Sequence, residues 1–420
     1  MTEVDTGLQE LLHCDFGQTA PSGCSPGRLA TGAGGCGRAD CREPPYSSAI
    51  DTDELREIAA AAGAAGFGVA AAGPFLAARA TLIAHKASAM SGPLRFTYDE
   101  PAAACDVTSS FPWARSIIAF SHNYVADAPG PAAEGAVVGR FATRDHYEPV
   151  RAVARSLCER LTAAGRRSAT LIDDNRLVDR AAAARSGVGW TGKSTMVLSP
   201  GHGPWLLLGS VVTDAALAAT GPLRRDCGAC DACARACPTG AIGPGGLDAR
   251  RCVAAWLQAP GAIPRWIRPH VGRRVYGCDD CLASCPPGAR ALQAAPADPL
   301  NLPFADLLGL TDAQLLDRFA WWYVPRRDGR FIRRNLLVAA ANSGEDGAAA
   351  AIEEHLRHRS SLIRGHAAWA TARSLGAGAR DILLAALEAE TVKAPIEELE
   401  HALLMVEAPR RPGVRRSDGR

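Results

Sequence analysis

Hydrophobic and polar positions alternate along the first half of the chain in a way that predicts a mixed core of helices and strands. The first helix begins at Asp51, where acidic residues precede Leu55 and an alanine run. Helical spacing of apolar residues predicts further helices at 75–89, 147–164 and 176–185. Short apolar runs predict strands at 67–70, 116–121, 169–172, 196–198 and 205–209. This alternation indicates an α/β or α+β core of about 170 residues.

From Arg330 onward the pattern changes to short, alanine-rich amphipathic helices. We expect them at 332–342, 347–356, 361–374, 379–390 and 396–406. Paired helices of this length resemble HEAT-like repeats, so 330–408 is predicted to be an α-solenoid. A connecting segment, 291–329, precedes them and holds the aromatic cluster Trp321-Trp322-Tyr323. We expect buried packing there, with base stacking as the alternative.

The two ends of the chain have no periodic pattern. Residues 1–48 are rich in Gly, Pro and Ser and are predicted to be a disordered extension, although four cysteines lie in it. Gly32 to Gly37 fits the dinucleotide-binding pattern G-x-G-x-x-G, but no strand precedes it and no helix follows, so we expect no such site. Residues 409–420 are predicted to be a disordered basic tail.

Composition and charge narrow the possible functions. The chain has 420 residues, 47% of them hydrophobic, and a formal net charge of only +2. A nucleic-acid surface would therefore be a local patch of charge. No apolar run is long enough to span a bilayer and no export signal is visible, so we expect a soluble, cytoplasmic protein without a membrane partner.

Gly187 to Ser194 fits the phosphate-binding pattern G-x-x-x-x-G-K-[ST]. A nucleotide-binding loop of this type follows a strand and opens a helix at its lysine. Here the helix signal comes before the motif, and the strand signal at 196–198 comes after it. The order is inverted, so an ATPase is not expected.

Eight cysteines between 227 and 285 carry the strongest chemical signal. The first run has the spacing C-x2-C-x2-C-x3-C-P, which is typical of bacterial ferredoxins that hold two [4Fe-4S] clusters. Zinc is the alternative for paired C-x2-C units, but zinc sites seldom have this third and fourth cysteine before a proline. A disulfide framework fits poorly with so long a chain and such tightly grouped cysteines. The eight are Cys227, Cys230, Cys233, Cys237, Cys252, Cys278, Cys281 and Cys285.

Taken together, several separated motifs resemble those of epoxyqueuosine reductases, over about residues 51–375. They are Arg144-Asp-His-Tyr147, Asp173 with Asp179-Arg180, the segment 185–193, the eight cysteines, Val275 to Cys281 and Ile363 to Trp369. The resemblance implies an α+β fold with an α/β cobalamin-binding core at 49–220, a ferredoxin-like module at 221–290 that holds two [4Fe-4S] clusters, and the C-terminal HEAT-like repeats.

The same resemblance implies an oxidoreductase that reduces epoxyqueuosine at the wobble position of tRNA to queuosine, with loss of the oxygen as water. Electrons would pass from an external donor, such as flavodoxin or ferredoxin, through two [4Fe-4S] clusters to cobalamin. One cluster would be held by Cys227, Cys230, Cys233 and Cys285, and the other by Cys237, Cys252, Cys278 and Cys281.

Asp145 matches the family's general acid, which would protonate the departing epoxide oxygen. From the residues alone, Asp145 is equally placed to cap the helix that follows it. Asp173, Lys193, Gly277 and Asp279 match segments that bind cobalamin in the family. Three departures from the family pattern stand out: the order Asp145-His146-Tyr147 replaces Asp-Tyr-His, Ala104 replaces an arginine, and the cysteine-bearing extension at 1–48 has no counterpart.

The partner implied is the anticodon stem-loop of tRNA, bound by a monomeric enzyme. Arginine-rich stretches would supply the phosphate contacts; they are Arg265, Arg268, Arg273, Arg274, Arg326, Arg327, Arg330, Arg333 and Arg334. Two alternatives remain open from the sequence. One is a cobalamin and iron-sulfur reductase with another substrate, similar to reductive dehalogenases, and the other is a non-catalytic electron carrier or RNA-binding scaffold.

Overall fold

A computed structural model describes residues 50–296, 299–345 and 347–407. The predicted extension at 1–48 and the predicted basic tail at 409–420 lie outside these described residues. Within them, no helix combines the length and the apolar character needed to cross a membrane.

The first part of the chain alternates helices and strands, as the hydrophobic pattern predicts. The helices are α1 (Thr52–Ala61), α2 (Leu76–Ala87), α3 (Pro101–Ala104), α4 (Tyr147–Ala163) and α5 (Asp179–Arg185). The strands are β1 (Gly66–Ala71), β2 (Ser116–Asn123), β3 (Gly130–Pro131), β4 (Val137–Val138), β5 (Ser168–Leu171), β6 (Trp190–Thr191), β7 (Val197–Leu198) and β8 (Leu206–Thr213).

A four-stranded sheet with the order β1-β2-β8-β5 forms the centre of this part. Ile118 and Phe120 of β2 face α1 and α4, whereas Ile117 faces the side covered by α5. Because both faces are covered, β2 is a continuous apolar run rather than an alternating one. Every pair in the sheet is antiparallel, so the core belongs to the α+β class. The α/β alternative is wrong, because no parallel pair connects these four strands.

The cysteine-rich part consists of short helices and two-stranded ladders. The helices are α6 (Ala232–Ala236), α7 (Val253–Gln258), α8 (Arg268–Val271), α9 (Asp280–Ala283) and α10 (Pro286–Ala291), and the strands are β9 (Ile242–Gly243), β10 (Gly246–Leu247) and β11 (Arg274–Tyr276). β11 pairs in parallel with β4 of the first part. This ladder attaches the second cysteine run directly to the loop that precedes α4.

The rest of the described chain is helical apart from β12 (Pro299–Leu300), which pairs with β3. The helices are α11 (Phe304–Gly309), α12 (Asp312–Arg318), α13 (Arg330–Ser343), α14 (Ala348–Glu354), α15 (Ser361–Leu375), α16 (Arg380–Ala389) and α17 (Lys393–Glu407). α15 packs between α13 and α17, and α13 also packs against α8 and β11. This helical part therefore rests on the cysteine-rich part.

Candidate active site

A cleft of about 140 Å³ opens beside the β6–β7 hairpin. One wall is apolar and consists of Met196, Val197 and the first residues of β8, Leu206, Leu207 and Leu208. The other wall is polar and consists of Tyr147, Asp173, Asp179 and Arg180. The cleft thus joins an apolar surface to a small set of hydrogen-bonding and charged groups, as ligand sites commonly do.

Asp173 is the central carboxylate of the polar wall. It follows β5 in a left-handed conformation, φ +52°, which is uncommon for a residue with a side chain. The Tyr147 hydroxyl donates a hydrogen bond of 3.4 Å to Asp173 Oδ2. Solvent reaches the carboxylate through the cleft, but protein surrounds its other sides, and this desolvation raises the pKa of Asp173. The nearby charge of Asp179 raises that pKa further.

Asp145 does not line the cleft. Its Oδ2 atom accepts a hydrogen bond of 2.6 Å from Arg151 Nη2, and its Oδ1 atom accepts one of 3.0 Å from the backbone N–H of Tyr147. The side chain is 39% exposed. In this arrangement Asp145 accepts a hydrogen bond from the backbone N–H of the first residue of α4 and forms an ion pair with Arg151, about one turn along that helix, so a catalytic role requires its loop to move.

The loop that carries Asp145 is anchored by two neighbouring indoles. Trp321 Nε1 and Trp322 Nε1 both donate to the carbonyl oxygen of Ala142, at 2.9 and 2.8 Å. Trp322 is buried between Tyr276 and Phe319, whose rings are stacked on it at 4.4 and 3.9 Å. The predicted packing role therefore holds for the two tryptophans. Tyr323, by contrast, is 45% exposed.

Gly277 and Asp279 also support this loop rather than lining the cleft. Asp279 Oδ2 accepts a hydrogen bond of 2.7 Å from the backbone N–H of Arg140. Burial raises the pKa of Asp279 to about 6, although the Arg140 amide and guanidinium oppose the rise. Gly277 has φ +77°, and a Cβ there would lie 2.7 Å from Phe141 Cε1. Through these two contacts, the second cysteine run holds the segment that leads to Asp145 in place.

Lys193 lies in the turn between β6 and β7, with no helix after it. Its Nζ atom donates a hydrogen bond of 2.7 Å to the carbonyl oxygen of Gly228, next to Cys227. A Cβ at Gly192 would lie 3.6 Å from Cys227 Sγ, so the hairpin turn touches the first cysteine loop. Lys193 thus faces the cysteine module, and the expectation that this motif is not a nucleotide-binding loop agrees with the strand order.

The cysteines fall into two groups in space. Burial raises the pKa of Cys233, and the neighbouring thiols of Cys227 and Cys230 add to the rise. Burial also raises the pKa of Cys285, with contributions from the thiols of Cys227, Cys233 and Cys230. Cys285, which is distant in sequence, therefore joins the first three cysteines. Cys230 is exposed in this group.

The second group lies deeper. Burial raises the pKa of Cys278 to about 12, and Arg274 opposes the rise. Burial also raises the pKa of Cys281, to which Cys278, Cys252 and Cys237 contribute. The fourth residue of the first run thus lies with the second run.

The donor chemistry of these groups fits iron-sulfur clusters. Cys237 Sγ accepts a hydrogen bond of 3.2 Å from the Ala241 backbone N–H, a contact of the kind that tunes cluster potentials. None of the eight cysteines forms a disulfide. Among the described residues, no three His, Cys, Asp or Glu side chains are close enough to bind one metal ion.

Many of the arginines predicted to contact RNA are used inside the fold instead. Arg268 and Arg334 are fully buried and Arg333 nearly so. Arg268 forms two hydrogen bonds of 2.8 and 2.9 Å with Glu398, and Arg333 forms one of 2.6 Å with Asp312. For these three the predicted phosphate contact is wrong, because no phosphate can reach them.

The remaining arginines predicted to contact RNA differ in whether their side chains are already bonded within the protein. Arg265, Arg274 and Arg330 each pair with a carboxylate, and the guanidinium groups of Arg273 and Arg327 donate to backbone carbonyls. Arg326 alone among the predicted set is exposed with neither a hydrogen bond nor an ion pair from its side chain within the described ranges. The available positive charge is therefore smaller than the sequence indicates.

His146 and His122 form a buried pair behind the Asp145 loop. Their ring centroids are 6.0 Å apart, and His122 Nε2 and His146 Nδ1 have no hydrogen-bond partner among the described residues. Burial lowers the pKa of His146 to about 4, and the charge of Arg144 adds to the lowering. The inverted order Asp145-His146-Tyr147 thus puts histidine in the interior and tyrosine on the cleft.

Sequence reasoning missed the roles of Tyr147, Arg151 and Arg180. Tyr147 was visible only as a departure from the family order. Arg180 had a signal, since it lies in a motif shared with the family, and its charge acts on both Asp173 and Cys252. Arg151 had no sequence signal. Its ion pair with Asp145, six residues earlier, depends on the direction in which the loop enters α4.

Comparisons with known proteins agree with this geometry. Residues 226–288 match the family model of a 4Fe-4S double cluster binding domain, so the module holds two [4Fe-4S] clusters. The chain is 37% identical over 267 residues to an epoxyqueuosine reductase of Alicycliphilus denitrificans, covering 57% of this chain and 72% of the relative. A relative of the same name from Xanthomonas campestris is 35% identical, with coverage of 57% and 70%.

Solved structures are similar over most of the chain. An epoxyqueuosine reductase crystallised with an epoxyqueuosine-modified tRNA-Tyr stem loop has a TM-score of 0.75 and 28% identity, covering 85% of this chain and 98% of that one. The Bacillus subtilis enzyme, in a structure with its catalytic aspartate loop swung out of the active site, has a TM-score of 0.75 and 26% identity, with coverage of 84% and 98%. With its two-cluster module, its cleft and these relatives, the chain belongs to the epoxyqueuosine reductase family.

Proposed function

We propose that this protein reduces epoxyqueuosine in the anticodon stem-loop of tRNA to queuosine. The observation that carries the proposal is spatial order: one cysteine group reaches the surface at Cys230, and the second lies beside the cleft. Electrons that enter at the surface can therefore be delivered to a substrate in the cleft. The reaction adds two electrons and two protons to the epoxide and releases water.

The proposed ligands are those of the crossed pattern. Cys227, Cys230, Cys233 and Cys285 would hold the outer cluster, supported by the mutual influence of their thiols. Cys237, Cys252, Cys278 and Cys281 would hold the inner cluster, supported in the same way. Arg180 connects the inner group to the cleft, because its charge acts on both Cys252 and Asp173.

Cobalamin is the second cofactor we propose, bound at the cleft. A corrin has a broad apolar face and a rim of amides, which suits a cleft with one leucine-rich wall and one wall of Tyr147, Asp173, Asp179 and Arg180. When bound, cobalamin would supply a low-valent cobalt that reduces the epoxide. Asp173 would accept hydrogen bonds from the amide rim, and Lys193 would support the hairpin from the cluster side. Gly277 and Asp279 would act indirectly, through the loop they hold.

We propose Asp145 as the proton donor to the departing epoxide oxygen. In this structure its carboxylate is paired with Arg151 and lies outside the cleft lining. Its loop would have to release that ion pair and turn toward the cleft. The Bacillus subtilis relative supports such a movement, because its catalytic aspartate loop is described as swung out of the active site.

Asp173 is the competing candidate for the proton donor. It lines the cleft, and burial raises its pKa, so its carboxyl group holds a proton to a higher pH than an ordinary aspartate does. The two candidates are separated by substitution. If Asp145 is the donor, Asp145→Asn abolishes turnover and leaves cofactor binding intact, whereas Asp173→Asn weakens cofactor binding first.

The electron donor would be an acidic carrier such as flavodoxin or ferredoxin. Lys193, Arg224 and Arg225 are exposed around the outer cysteine group, and complementary charge accelerates encounter at such a surface. Arg224→Glu and Arg225→Glu would then slow reduction of the clusters and weaken its dependence on salt.

We propose that the chain is divided into the domains predicted from the sequence. They are a catalytic core at 49–220, a two-cluster module at 221–290, a connecting segment at 291–329 and HEAT-like repeats at 330–408. The alternation of α13, α15 and α17 along one side supports the repeat assignment. We propose that the enzyme acts as a monomer in the cytoplasm, where its tRNA substrate is found.

The test is anaerobic reconstitution with iron, sulfide and cobalamin, followed by an assay on an epoxyqueuosine-containing stem-loop. Wild-type protein should bind two clusters and one cobalamin and form queuosine. Cys237→Ser should damage the inner cluster and Cys285→Ser the outer one, as resolved by electron paramagnetic resonance. Cys105→Ala is the matched control, because Cys105 is buried in a separate apolar cluster. Protein with both cofactors and no activity on the RNA would contradict the proposal.

A further inference from the structure

An exposed pair of aromatic side chains bridges two distant parts of the chain. Phe96 begins a 3₁₀ turn, Phe96–Tyr98, after α2, and Tyr323 ends the aromatic cluster of the connecting segment. Their ring centroids are 5.4 Å apart with an interplanar angle of 64°. Phe96 is 39% exposed and Tyr323 is 45% exposed, so neither ring is buried by the contact.

The pair lies at the edge of the cleft. The charge of Asp173 acts on Tyr323, whose pKa is raised mainly by burial of its hydroxyl end. On the other side, the ring of Tyr98, two residues after Phe96, is stacked 6.5 Å from that of His85. A Cβ at Gly246 would touch both His85 Cε1, at 3.4 Å, and Thr195 Cγ2, at 3.8 Å. The carbonyl oxygen of Thr195 accepts a hydrogen bond of 3.4 Å from Arg180 Nη1. Asp173 and Arg180 both line the cleft. Tyr323 and the turn that holds Phe96 therefore lie beside residues of the polar wall.

Packing does not account for Phe96. Its backbone has φ +42°, a left-handed conformation that is a genuine outlier for a bulky residue. Strained conformations of this kind persist where the surroundings enforce them and are concentrated at binding sites. The strain presents a large apolar ring to solvent, which is the opposite of what core packing would require.

The turn that holds Phe96 is fixed at both ends. The backbone N–H of Ala249, in the cluster module, donates to the carbonyl oxygen of Met90 at 2.8 Å. Lys86 Nζ donates to the carbonyl oxygen of Asp99 at 2.9 Å. Phe96 is thus carried by a turn whose backbone is anchored on both sides.

Two cationic side chains flank the pair along the chain. Arg95 precedes Phe96, and Arg326 follows Tyr323 by three residues; both are exposed. Within the described ranges neither guanidinium forms a hydrogen bond or an ion pair. Exposed aromatic rings interleaved with free cations are the elements of a single-stranded nucleic-acid site, where rings stack on bases and cations contact phosphates.

We propose that Phe96 and Tyr323 form a nucleobase-binding site at the mouth of the cleft. The site stacks an unpaired base of the RNA that neighbours the nucleotide entering the cleft, and Arg95 and Arg326 contact the adjoining phosphates. This inference rests on the proposed function, since it requires an RNA loop as substrate. It assigns to Tyr323 the stacking role that its neighbours, half-buried Trp321 and buried Trp322, do not have.

The experiment uses reconstituted holoenzyme and a stem-loop with epoxyqueuosine at the wobble position and 2-aminopurine at one or the other neighbouring position. Stacking quenches 2-aminopurine, so wild-type protein should quench at one of the two positions. Phe96→Gly removes the ring while suiting the left-handed backbone, and Tyr323→Leu keeps an apolar side chain. Each should reduce the quenching and weaken RNA binding about 5- to 100-fold.

Three controls make the result specific. Tyr323→Phe keeps the ring and should bind RNA like the wild type. Leu404→Ala changes another strongly exposed apolar residue, on α17, and should have no effect. Iron and cobalamin contents should remain equal in all variants, which excludes a general loss of structure.

The outcomes separate this inference from the proposed function. If wild-type protein reduces the RNA while Phe96→Gly and Tyr323→Leu bind it with unchanged affinity and quenching, the stacking site is refuted and the function stands. If cofactor-loaded wild-type protein neither binds nor reduces the RNA, both are refuted.

Discussion

Protonation of His146 should destabilise the folded protein in mild acid. The side chain is fully buried, its Nδ1 atom has no partner, and its pKa is lowered to about 4 by burial, Arg144 and His122, against the opposing charge of Asp127. In the unfolded chain the pKa of histidine is about 6.5, so the unfolded state binds the proton first as the pH falls. Stability is therefore unaffected by His146 above about pH 6.5 and declines between about pH 6.5 and 4.

The size of the effect follows from the difference in pKa. The pKa of His146 differs by about 2.5 units between the folded and unfolded states. Protonation therefore lowers the free energy of unfolding by about 3.4 kcal/mol when the residue is fully titrated in both states, and by about 2 kcal/mol at pH 5. For a cooperative unit of about 150–250 residues, a loss of 2 kcal/mol lowers the melting temperature by roughly 4–8 °C. Other buried histidines, such as His366, also have lowered pKa values, so the wild-type decline includes their contributions.

The His146→Phe variant isolates the contribution of one residue. Phenylalanine places a similar ring against His122 and Tyr124 and cannot take up a proton. Scanning calorimetry of the anaerobic holoprotein should show a smaller drop in melting temperature from pH 7.5 to pH 5 for His146→Phe than for the wild type. His270→Gln, at an exposed position, should keep the full drop. Equal drops in the wild type and His146→Phe would refute the reasoning.

Three other substitutions test separate contacts. Glu398→Gln removes the charge that compensates buried Arg268, so we expect a loss of about 3–5 kcal/mol in the unfolding free energy of the helical part, measured by hydrogen exchange; a loss below about 1 kcal/mol would contradict the assignment. Tyr147→Phe removes the hydrogen bond that lowers the pKa of Asp173, so that pKa should rise, as followed by carboxyl ¹³C NMR, and an unchanged value would exclude the contact. Trp322→Phe removes one of two indole donors to the loop carbonyl, and it should lower kcat without changing cluster content; unchanged kcat would argue against anchorage.

The sequence predicted the secondary structure closely where periodicity was strong. The helix expected at 147–164 is Tyr147–Ala163, and the strand expected at 116–121 is Ser116–Asn123. The helices after residue 330 also lie where the apolar spacing placed them. These elements bury one stripe or a whole strand, and burial is what the hydrophobic pattern records.

Burial of charged residues could not be predicted in the same way. Arg333 and Arg334 were interpreted as an RNA-binding surface because arginine is normally exposed. In α13, however, both side chains are buried and bonded inside the fold, because Arg333 pairs with Asp312 and Arg334 donates to the carbonyl oxygens of Trp256 and Ala259. Those acceptors are ends of short elements far away in sequence. The continuous apolar run at 336–341 was the only signal that this part of the helix has no exposed side.

The sequence motifs identified several residues of the candidate site, but they did not predict how those residues are arranged in space. The eight cysteines and Asp173 were visible because their chemistry depends on residue type and spacing. The position of Asp145 outside the cleft depends instead on Arg151 and on how α4 begins. The aromatic pair at the cleft mouth joins segments on opposite sides of the cluster module, and no local pattern links them.

The contacts between the second cysteine run and the loop that carries Asp145 have a consequence for damage by oxygen. Asp279 lies between two proposed cluster ligands, Cys278 and Cys281, and it accepts a hydrogen bond from the loop at Arg140. Oxidative loss of the inner cluster would free those cysteines and loosen the aspartate between them. Loss of the inner cluster would then interrupt the electron supply and also displace Asp145, the proposed proton donor. Rebuilding the cluster would restore both the electron supply and the position of the loop. The inner cluster would then support the structure of the active site as well as transfer electrons to it.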